Sequence, residues 1–146
     1  MALDADTFRQ ITETIDRFVR DRLIPAEAQV DEDNAIPPDI VSEMRDLGLF
    51  GLSIPEEYGG LGLTMVEEVE LAFRLGRASP AFRSLIGTNN GIGSQGILLD
   101  GTEQQKQTWL PRLASGEVIG SFALTEPDSG SDAASISLSA DPDGVD

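Results

Sequence analysis

The sequence predicts a mainly α-helical domain over residues 1–115, followed by the first strands of a β-domain over residues 116–146. Two observations lead to this division. Before about residue 115, apolar residues recur at intervals of three and four, which is the spacing of one face of an α-helix. From Glu117 onwards the sequence changes to short runs, EVIGSFALT and SISLSA, that are typical of strands.

Charge and composition exclude several classes of function. The net charge is −16, from 26 acidic and 10 basic residues, and such a chain is repelled by nucleic acid and by anionic membranes. The sequence has no Cys and no His, which removes disulfides, zinc sites and Ser-His or Cys-His catalysis from this chain. It has neither a signal-peptide pattern nor an apolar run of transmembrane length, so a soluble cytoplasmic protein is expected.

Five helices are expected, and prolines mark the limits of the first two. The first helix should end before Pro25, because the following segment, AEAQVDEDNAIPP, is too polar for the core. Pro37 and Pro38 open the second helix, and Gly48 ends it. The inward residues are Phe8, Ile11, Ile15, Phe18 and Val19 in the first helix, and Ile40, Val41, Met44 and Leu47 in the second.

The third helix, from about Thr64, is apolar on more than one side. It follows LFGLSIPEEYGGLG, whose glycines indicate a structured loop. Leu71 and Leu75 lie apart from the other apolar positions, so the helix is expected to pack on more than one neighbour. Those other positions lie along one side of the helix: Met65, Val66, Val69, Ala72, Phe73 and Gly76.

The fourth helix starts at Ser79-Pro80 and is unusually rich in glycine. Each glycine costs a helix about 1 kcal/mol relative to Ala. Two explanations for these glycines stay open, namely tight helix–helix packing and the wall of a ligand pocket, since glycine leaves room for either. The glycines are Gly87, Gly91, Gly93 and Gly96.

The fifth helix begins at a capping box formed by Thr102 and Gln105. Pro111 is expected to bend or end it. The predicted inward residues are Trp109, Leu110 and Leu113.

The last residues, ADPDGVD, contain a hairpin-turn signal without a returning strand. A strand that has lost its partner leaves an open sheet edge and an unfilled core face. We therefore expect the chain to be a truncated piece of a longer protein.

The strongest candidate site is the stretch FALTEPDSGSDAAS, from Phe122 to Ser135. Thr125 offers a hydroxyl, and Gly130-Ser131 can expose consecutive backbone N–H groups beyond the turn at Pro127. Such donors suit the carbonyl edge of a flat heterocycle or a phosphate. The stretch is not a P-loop, because it has no Lys and no GxxxxGK[ST]. A plain surface turn remains the alternative.

The same stretch resembles the signature of the acyl-CoA dehydrogenase family of flavoproteins. It fits the pattern Ala/Cys-hydrophobic-Thr-Glu-Pro-x-x-Gly-Ser-Asp without a gap from Ala123 to Asp132. Two other segments agree in order and spacing. LGLFGLSIPEEYGGLGLT resembles the family's loop between its second and third helices, and GTEQQKQTWLPRLASGE resembles the helix and turn that lead into its β-domain. The three matches are collinear from about residue 40 to 140.

The resemblance implies a three-part enzyme of fatty acid metabolism, with an N-terminal helical domain, a middle β-barrel and a C-terminal four-helix bundle. It implies FAD as cofactor and α,β-dehydrogenation of an acyl-CoA thioester, with hydride transfer to flavin N5. The catalytic base, a Glu in most members, belongs to the C-terminal bundle, so no catalytic residue is assigned in this chain. The isolated piece is expected to be inactive and to bind FAD weakly or not at all.

The resemblance also assigns cofactor-binding residues. Phe122, Leu124 and Thr125 would contact the isoalloxazine, with Thr125 acting through its backbone or hydroxyl near the pyrimidine edge. Gly130 and Ser131 would reach the cofactor, and Ser131 would also bind the CoA part of the substrate.

Further expectations concern the surroundings of that site. Glu126 should anchor the loop rather than act as a base, and the helix around Asn89 to Gly96 should line the acyl channel. The implied partners are an acyl-CoA substrate and the electron-transfer acceptor of the parent enzyme, and the full-length protein should form a homodimer or tetramer.

Two alternatives remain at this point. The first is a related flavin enzyme, such as an acyl-CoA oxidase, nitroalkane oxidase or flavin-dependent monooxygenase, which shares the helical domain and differs in parts outside this chain. The second is a non-catalytic helical interaction module. The short length and the absence of His and Cys favour this second alternative, whereas the intact signature opposes it.

Overall fold

A computed structural model describes residues 3–139 and residue 141, and the protein is mainly helical, as the sequence predicts. A π-helical turn, Val19–Leu23, joins the first two helices, and short 3-10 turns lie at Leu49–Gly51, Glu56–Tyr58 and Ala133–Ser135. The α-helices of the described residues are α1 Ala5–Phe18, α2 Ile24–Asp33, α3 Pro38–Asp46, α4 Met65–Leu75, α5 Pro80–Asn90, α6 Ile92–Asp100 and α7 Glu103–Ala114. Within the described range, no helix is both long enough and apolar enough to span a membrane.

Two hydrophobic clusters form the interior. The larger cluster lies among α1, α3, α4, α5 and the loop after α3, and its fully buried members include Leu23, Met44, Leu71 and Phe82. The smaller cluster joins that loop to α7. Its members are Ile54, Tyr58, Leu110, Leu113 and Ala114.

The structure corrects the predicted end of the first helix. The chain does not leave the helical conformation before Pro25 but passes through the π-helical turn directly into α2. Pro25 is tolerated because it directly follows the π-helical turn, where Ile24 N–H bonds the Val19 carbonyl and the i→i−4 ladder is already interrupted. Val30 is the buried residue of α2, whose other residues are mostly polar, so the sequence offers no apolar face there. Asn34, in the left-handed conformation with φ of 49°, ends the helix.

The loop between α3 and α4 is structured and largely buried, as its glycines indicated. Gly48 ends α3 with φ of 70°. A Cβ at Gly60 would lie 2.0 Å from the carbonyl oxygen of Ile54, so only glycine fits where the chain folds back on itself. Leu61 N–H donates to the Gly51 carbonyl at 2.8 Å, which closes this loop against the start of the segment.

The structure separates the two apolar sides of α4. Leu71 and Leu75 are buried against the core, and α4 packs on α1 along this side. The side with the larger number of apolar residues is exposed; Met65 is 74% exposed and Phe73 is 77% exposed. α4 contacts both α1 and α5, so the expectation that it packs on more than one neighbour is confirmed.

The last helix also differs from expectation in two respects. The capping box of Thr102 and Gln105 is present, and Leu110 is fully buried. Trp109 is exposed and stacks on the Arg112 guanidinium at 5.2 Å, so its predicted inward position is wrong. Pro111 does not end α7, which continues to Ala114.

The predicted strands are not formed in the described residues. Residues 117–125 run on from α7 without helical or sheet structure, and most of their side chains are exposed. A strand exists only when a second strand supplies its ladder of hydrogen bonds, and the described part of the chain contains none for this segment. The predicted strand SISLSA ends at Ala140, and Ala140 and the turn Pro142-Asp143-Gly144 lie outside the described residues.

The two sides of α4 allow a paired test of the fold. Leu71→Ala should lower the free energy of unfolding by about 2–5 kcal/mol, because it leaves a cavity in the larger cluster. Phe73→Ala, two residues away on the same helix, should change it by no more than about 0.5 kcal/mol, since that ring packs on nothing buried. Chemical denaturation of both variants checks this, and an equal loss in both would contradict the assigned orientation of α4.

Candidate functional site

The predicted cofactor-binding residues all lie in the segment that follows α7. Phe122, Leu124 and Thr125 are exposed in a segment without regular secondary structure, and Phe122 is 56% exposed. Gly130 and Ser131 follow after a tight turn. The turn brings Gly130 against Thr125, since a Cβ at Gly130 would lie 3.6 Å from the Thr125 Cγ2 methyl.

Backbone hydrogen bonds close the turn between these two groups of residues. Glu126 N–H donates to the Ser129 carbonyl at 2.7 Å, and Ser129 N–H donates back to the Glu126 carbonyl at 3.3 Å. Ser129 is buried, and its hydroxyl donates to the Asp132 carbonyl at 2.7 Å. The stretch is therefore a turn with its own internal hydrogen bonds, in which one serine has a structural role.

Glu126 anchors the loop, as expected. Its carboxylate accepts hydrogen bonds from the backbone N–H groups of Ser137 at 3.0 Å and Leu138 at 2.8 Å, and from the Ser137 hydroxyl at 3.1 Å. The N–H groups of Ser137 and Leu138 hold the pKa of the Glu126 carboxyl below its usual value. The Glu126 carboxylate is thus ionised, and its oxygens already accept hydrogen bonds from Ser137 and Leu138.

The open backbone donors of the stretch fit a heterocycle with a carbonyl edge. Within the described residues, the N–H groups of Leu124, Thr125, Gly130 and Ser131 donate to no protein acceptor. The side chains of Phe122 and Leu124 add exposed apolar surface beside these donors. A flat ring can lie on such a surface while its polar edge accepts from the backbone, so the donor set is suited to a flavin.

The glycines of α5 and α6 have more than one explanation. A Cβ at Gly93 would lie 2.7 Å from the Thr88 carbonyl oxygen and 3.6 Å from the Cα of Gly120, so close packing accounts for Gly93. A Cβ at Gly96 would meet no atom within 4 Å. Gly96 instead lines an open cleft of about 370 Å³ between α6 and α7.

Sequence analysis did not identify the buried asparagine that connects this region. Asn89 is fully buried, and its side-chain NH₂ donates to the carbonyl oxygens of Leu113 and Val118, both at 2.9 Å. Its side-chain oxygen accepts from Gly120 N–H at 2.7 Å. The sequence does contain a signal for this role, which is an Asn-Asn pair within a run of small and apolar residues. A polar side chain that is buried in such a run needs hydrogen-bond partners inside the protein.

Comparison with known proteins agrees with this fold. The sequence model of the family described as "Acyl-CoA dehydrogenase, N-terminal domain" matches residues 5–117. The chain is 40% identical over 134 residues to the mitochondrial very long-chain specific acyl-CoA dehydrogenase of Macaca fascicularis, covering 92% of this chain and 20% of that protein. It is 39% identical over 140 residues to the (2S)-methylsuccinyl-CoA dehydrogenase of Cereibacter sphaeroides, covering 95% of this chain and 25% of that protein.

A solved structure gives the same result. The chain superimposes on the crystal structure of an acyl-CoA dehydrogenase complexed with FAD from Bacillus anthracis with a TM-score of 0.77 and 37% identity. That match covers 90% of this chain and 22% of the Bacillus chain. The chain therefore belongs to the acyl-CoA dehydrogenase family, whose cofactor is FAD. It spans about a fifth to a quarter of the length of these relatives.

The contacts of Glu126 predict how the loop responds to pH. The pKa of the Glu126 carboxyl is lower in the folded chain than in the unfolded chain. The stability that its ionised carboxylate gives the loop is therefore fully present above the unfolded pKa, and this stability is lost as the pH falls through the folded pKa. An NMR titration should give Glu126 a pKa below 4.5, and the amide shifts of Ser137 and Leu138 should change with it. In Glu126→Gln that shared titration should disappear, and its persistence would contradict the anchoring role.

Proposed function

We propose that this chain is the N-terminal helical domain and the beginning of the middle β-domain of an FAD-dependent acyl-CoA dehydrogenase. The observation that carries the proposal is the signature from Ala123 to Asp132, in which open backbone donors and exposed apolar side chains lie together. Family membership and the FAD-bound Bacillus structure support it. The first strands of the β-domain would form only with the partner strands of that domain.

The signature residues would hold one face and one edge of the flavin. Phe122 and Leu124 supply apolar contact, and Thr125 supplies a backbone N–H and a hydroxyl near the pyrimidine edge. Gly130 and Ser131 approach the cofactor from beyond the turn, and Ser131 would also bind the CoA part of the substrate. Donors fixed in a folded backbone can stabilise negative charge on a bound ring without reorganising.

The proposed reaction is α,β-dehydrogenation of an acyl-CoA thioester. FAD, when bound, supplies the acceptor for the hydride that leaves the β-carbon. This chain would contribute cofactor orientation and part of the substrate channel, including the helix from Asn89 to Gly96. No described residue is assigned as the base that removes the α-proton, and the isolated chain is expected to be inactive.

The proposed partners follow from the same assignment: an acyl-CoA, an electron-transfer acceptor, and further copies of the full-length protein in a dimer or tetramer. The cytoplasmic location stays a prediction, because the relatives include mitochondrial enzymes. The relatives act on acyl groups as different as very long chains and methylsuccinate. The substrate is therefore proposed only as an acyl-CoA.

An FAD titration with a paired substitution tests the cofactor assignment. The chain should quench FAD fluorescence with a dissociation constant of about 10⁻⁴ M or weaker, near −5 kcal/mol, because only one side of the cofactor is held. Leu124→Asp should weaken binding at least about tenfold, through loss of apolar contact and repulsion of the phosphates. Equilibrium dialysis at high chain concentration provides a second measurement.

Leu99→Asp is the matched control. It makes the same replacement at an exposed leucine of α6 and should leave FAD binding unchanged. Equal weakening by both variants would show a general charge effect and contradict the position assigned to Leu124. Tight, stoichiometric FAD in the purified chain would contradict the expected weak binding.

A further inference from the structure

The last turn of α5 points two consecutive asparagine side chains in different directions. Successive residues of a helix are rotated by about 100°, so neighbours cannot contact the same surface. Asn90 donates to the carbonyl oxygens of Leu49 and Ile86, at 2.7 and 3.1 Å, and so faces the loop after α3. Asn89 faces the end of α7 and the segment that follows it.

The hydrogen bonds of Asn89 use both of its N–H donors and its side-chain oxygen. Both N–H donors reach carbonyl oxygens, those of Leu113 and Val118, and the side-chain oxygen accepts from Gly120. The reversed amide would place its NH₂ against an N–H and its oxygen against two carbonyl oxygens, so a single orientation satisfies the site. A buried polar group is costly unless it is paired in this way, and here the pairing joins three parts of the fold.

Asn89 makes the last hydrogen bonds before the signature stretch. Val118 N–H donates to the Arg112 carbonyl at 3.1 Å, and Gly120 N–H donates to Asn89. From residue 121 to residue 125, the described chain shows no backbone or side-chain hydrogen bond. The position of this stretch therefore depends on how firmly the residues just before it are held.

Gly120 and Gly93 lie where the segment after α7 meets the start of α6. A Cβ at Gly120 would lie 3.4 Å from the Cα of Gly93 and 3.5 Å from the Asn89 side-chain oxygen. The backbone of the segment thus lies directly on the start of α6, within reach of the asparagine. The distances at Gly120 are ordinary van der Waals distances, whereas a Cβ at Gly93 would lie 2.7 Å from the Thr88 carbonyl oxygen, so the requirement for glycine is at Gly93.

We propose that Asn89 is a positioning residue that fixes residues 118–120 against α5 and α7 and so sets where Phe122, Leu124 and Thr125 meet the flavin. The attachment itself stands on the hydrogen bonds above. Its consequence for the cofactor rests on the proposed function.

Amide exchange in the unaltered chain gives the first test. By NMR, Gly120 N–H should exchange at least about tenfold more slowly than the N–H groups of Phe122 to Thr125, because it alone is bound to a buried acceptor. Exchange of Gly120 as fast as that of its neighbours would overturn the proposal without any substitution.

Two leucine substitutions provide the second test. Asn89→Leu should raise exchange at Gly120 at least tenfold and shift the amide signals of residues 118–125. Asn90→Leu is the matched control, because it removes an equally buried amide from the same helix turn without touching the segment. In Asn90→Leu, the amide signals of residues 118–125 should be unchanged. Their exchange rates, measured relative to those in the core of α1 and α4, should also be unchanged.

A third variant covers the case in which Asn89→Leu does not fold. Asn89→Asp keeps the size of the side chain and the acceptor for Gly120 but places a second oxygen against two carbonyl oxygens. It should shift the amide signals of Leu113 and Val118 while Gly120 N–H stays protected. The same changes in Asn90→Leu, or unchanged signals in the Asn89 variants, would overturn the proposal.

An FAD titration of the same variants distinguishes the attachment of residues 118–120 from its consequence for flavin binding. Weaker FAD binding by Asn89→Leu than by Asn90→Leu is the expected result. Altered exchange at Gly120 with equal FAD binding in both would support the attachment and overturn its consequence for the flavin. If FAD bound to none of the proteins, including the unaltered chain, the consequence for the flavin would be overturned in this isolated chain, while the exchange result would still support the attachment.

Discussion

Two neighbouring buried amides at the end of α5 are hydrogen-bonded to both hydrophobic clusters of the domain. Apolar contact alone gives little directional information, whereas a buried amide requires partners at defined positions. Asn90 binds the carbonyl oxygen of Leu49, a residue of the larger cluster. Asn89 binds that of Leu113 in the smaller cluster. The pair therefore holds the end of α5 between the two clusters, beside the direct contacts that α7 makes with the loop after α3.

Signals within a few residues were enough to predict most helix limits. The capping box of Thr102, the Ser79-Pro80 start and the left-handed Gly48 appear in the structure as the sequence indicates. Each of these signals acts through hydrogen bonds or dihedral angles inside one turn, so no knowledge of the remaining fold is needed. Sequence analysis missed α2, which carries one buried residue, because its stability depends on packing rather than on a visible apolar face.

The orientation of α4 shows what local signals leave open. Both sides of this helix are apolar in the sequence, and the number of apolar residues favours the side that is exposed. The buried side is set by distant contacts: Glu67 accepts the backbone N–H of Leu3 at 3.0 Å, and Arg74 pairs with Asp16 of α1. A helix that is apolar on two sides has the pattern of an element placed between two neighbours. Trp109 is a similar case, because its ring stacks on Arg112 rather than entering the core.

The acidic character of the chain is compatible with an anionic cofactor at the signature stretch. After Arg112 the sequence has no Lys or Arg and seven acidic residues, so this part of the chain can offer only neutral donors. The carboxylate nearest to Thr125 in sequence is that of Glu126, and it is held by the N–H groups of Ser137 and Leu138. Backbone donors therefore compensate the negative charge that would otherwise lie beside the open N–H group of Thr125. With FAD bound as proposed, anchoring the loop and limiting repulsion of the cofactor would be two consequences of the same hydrogen bonds.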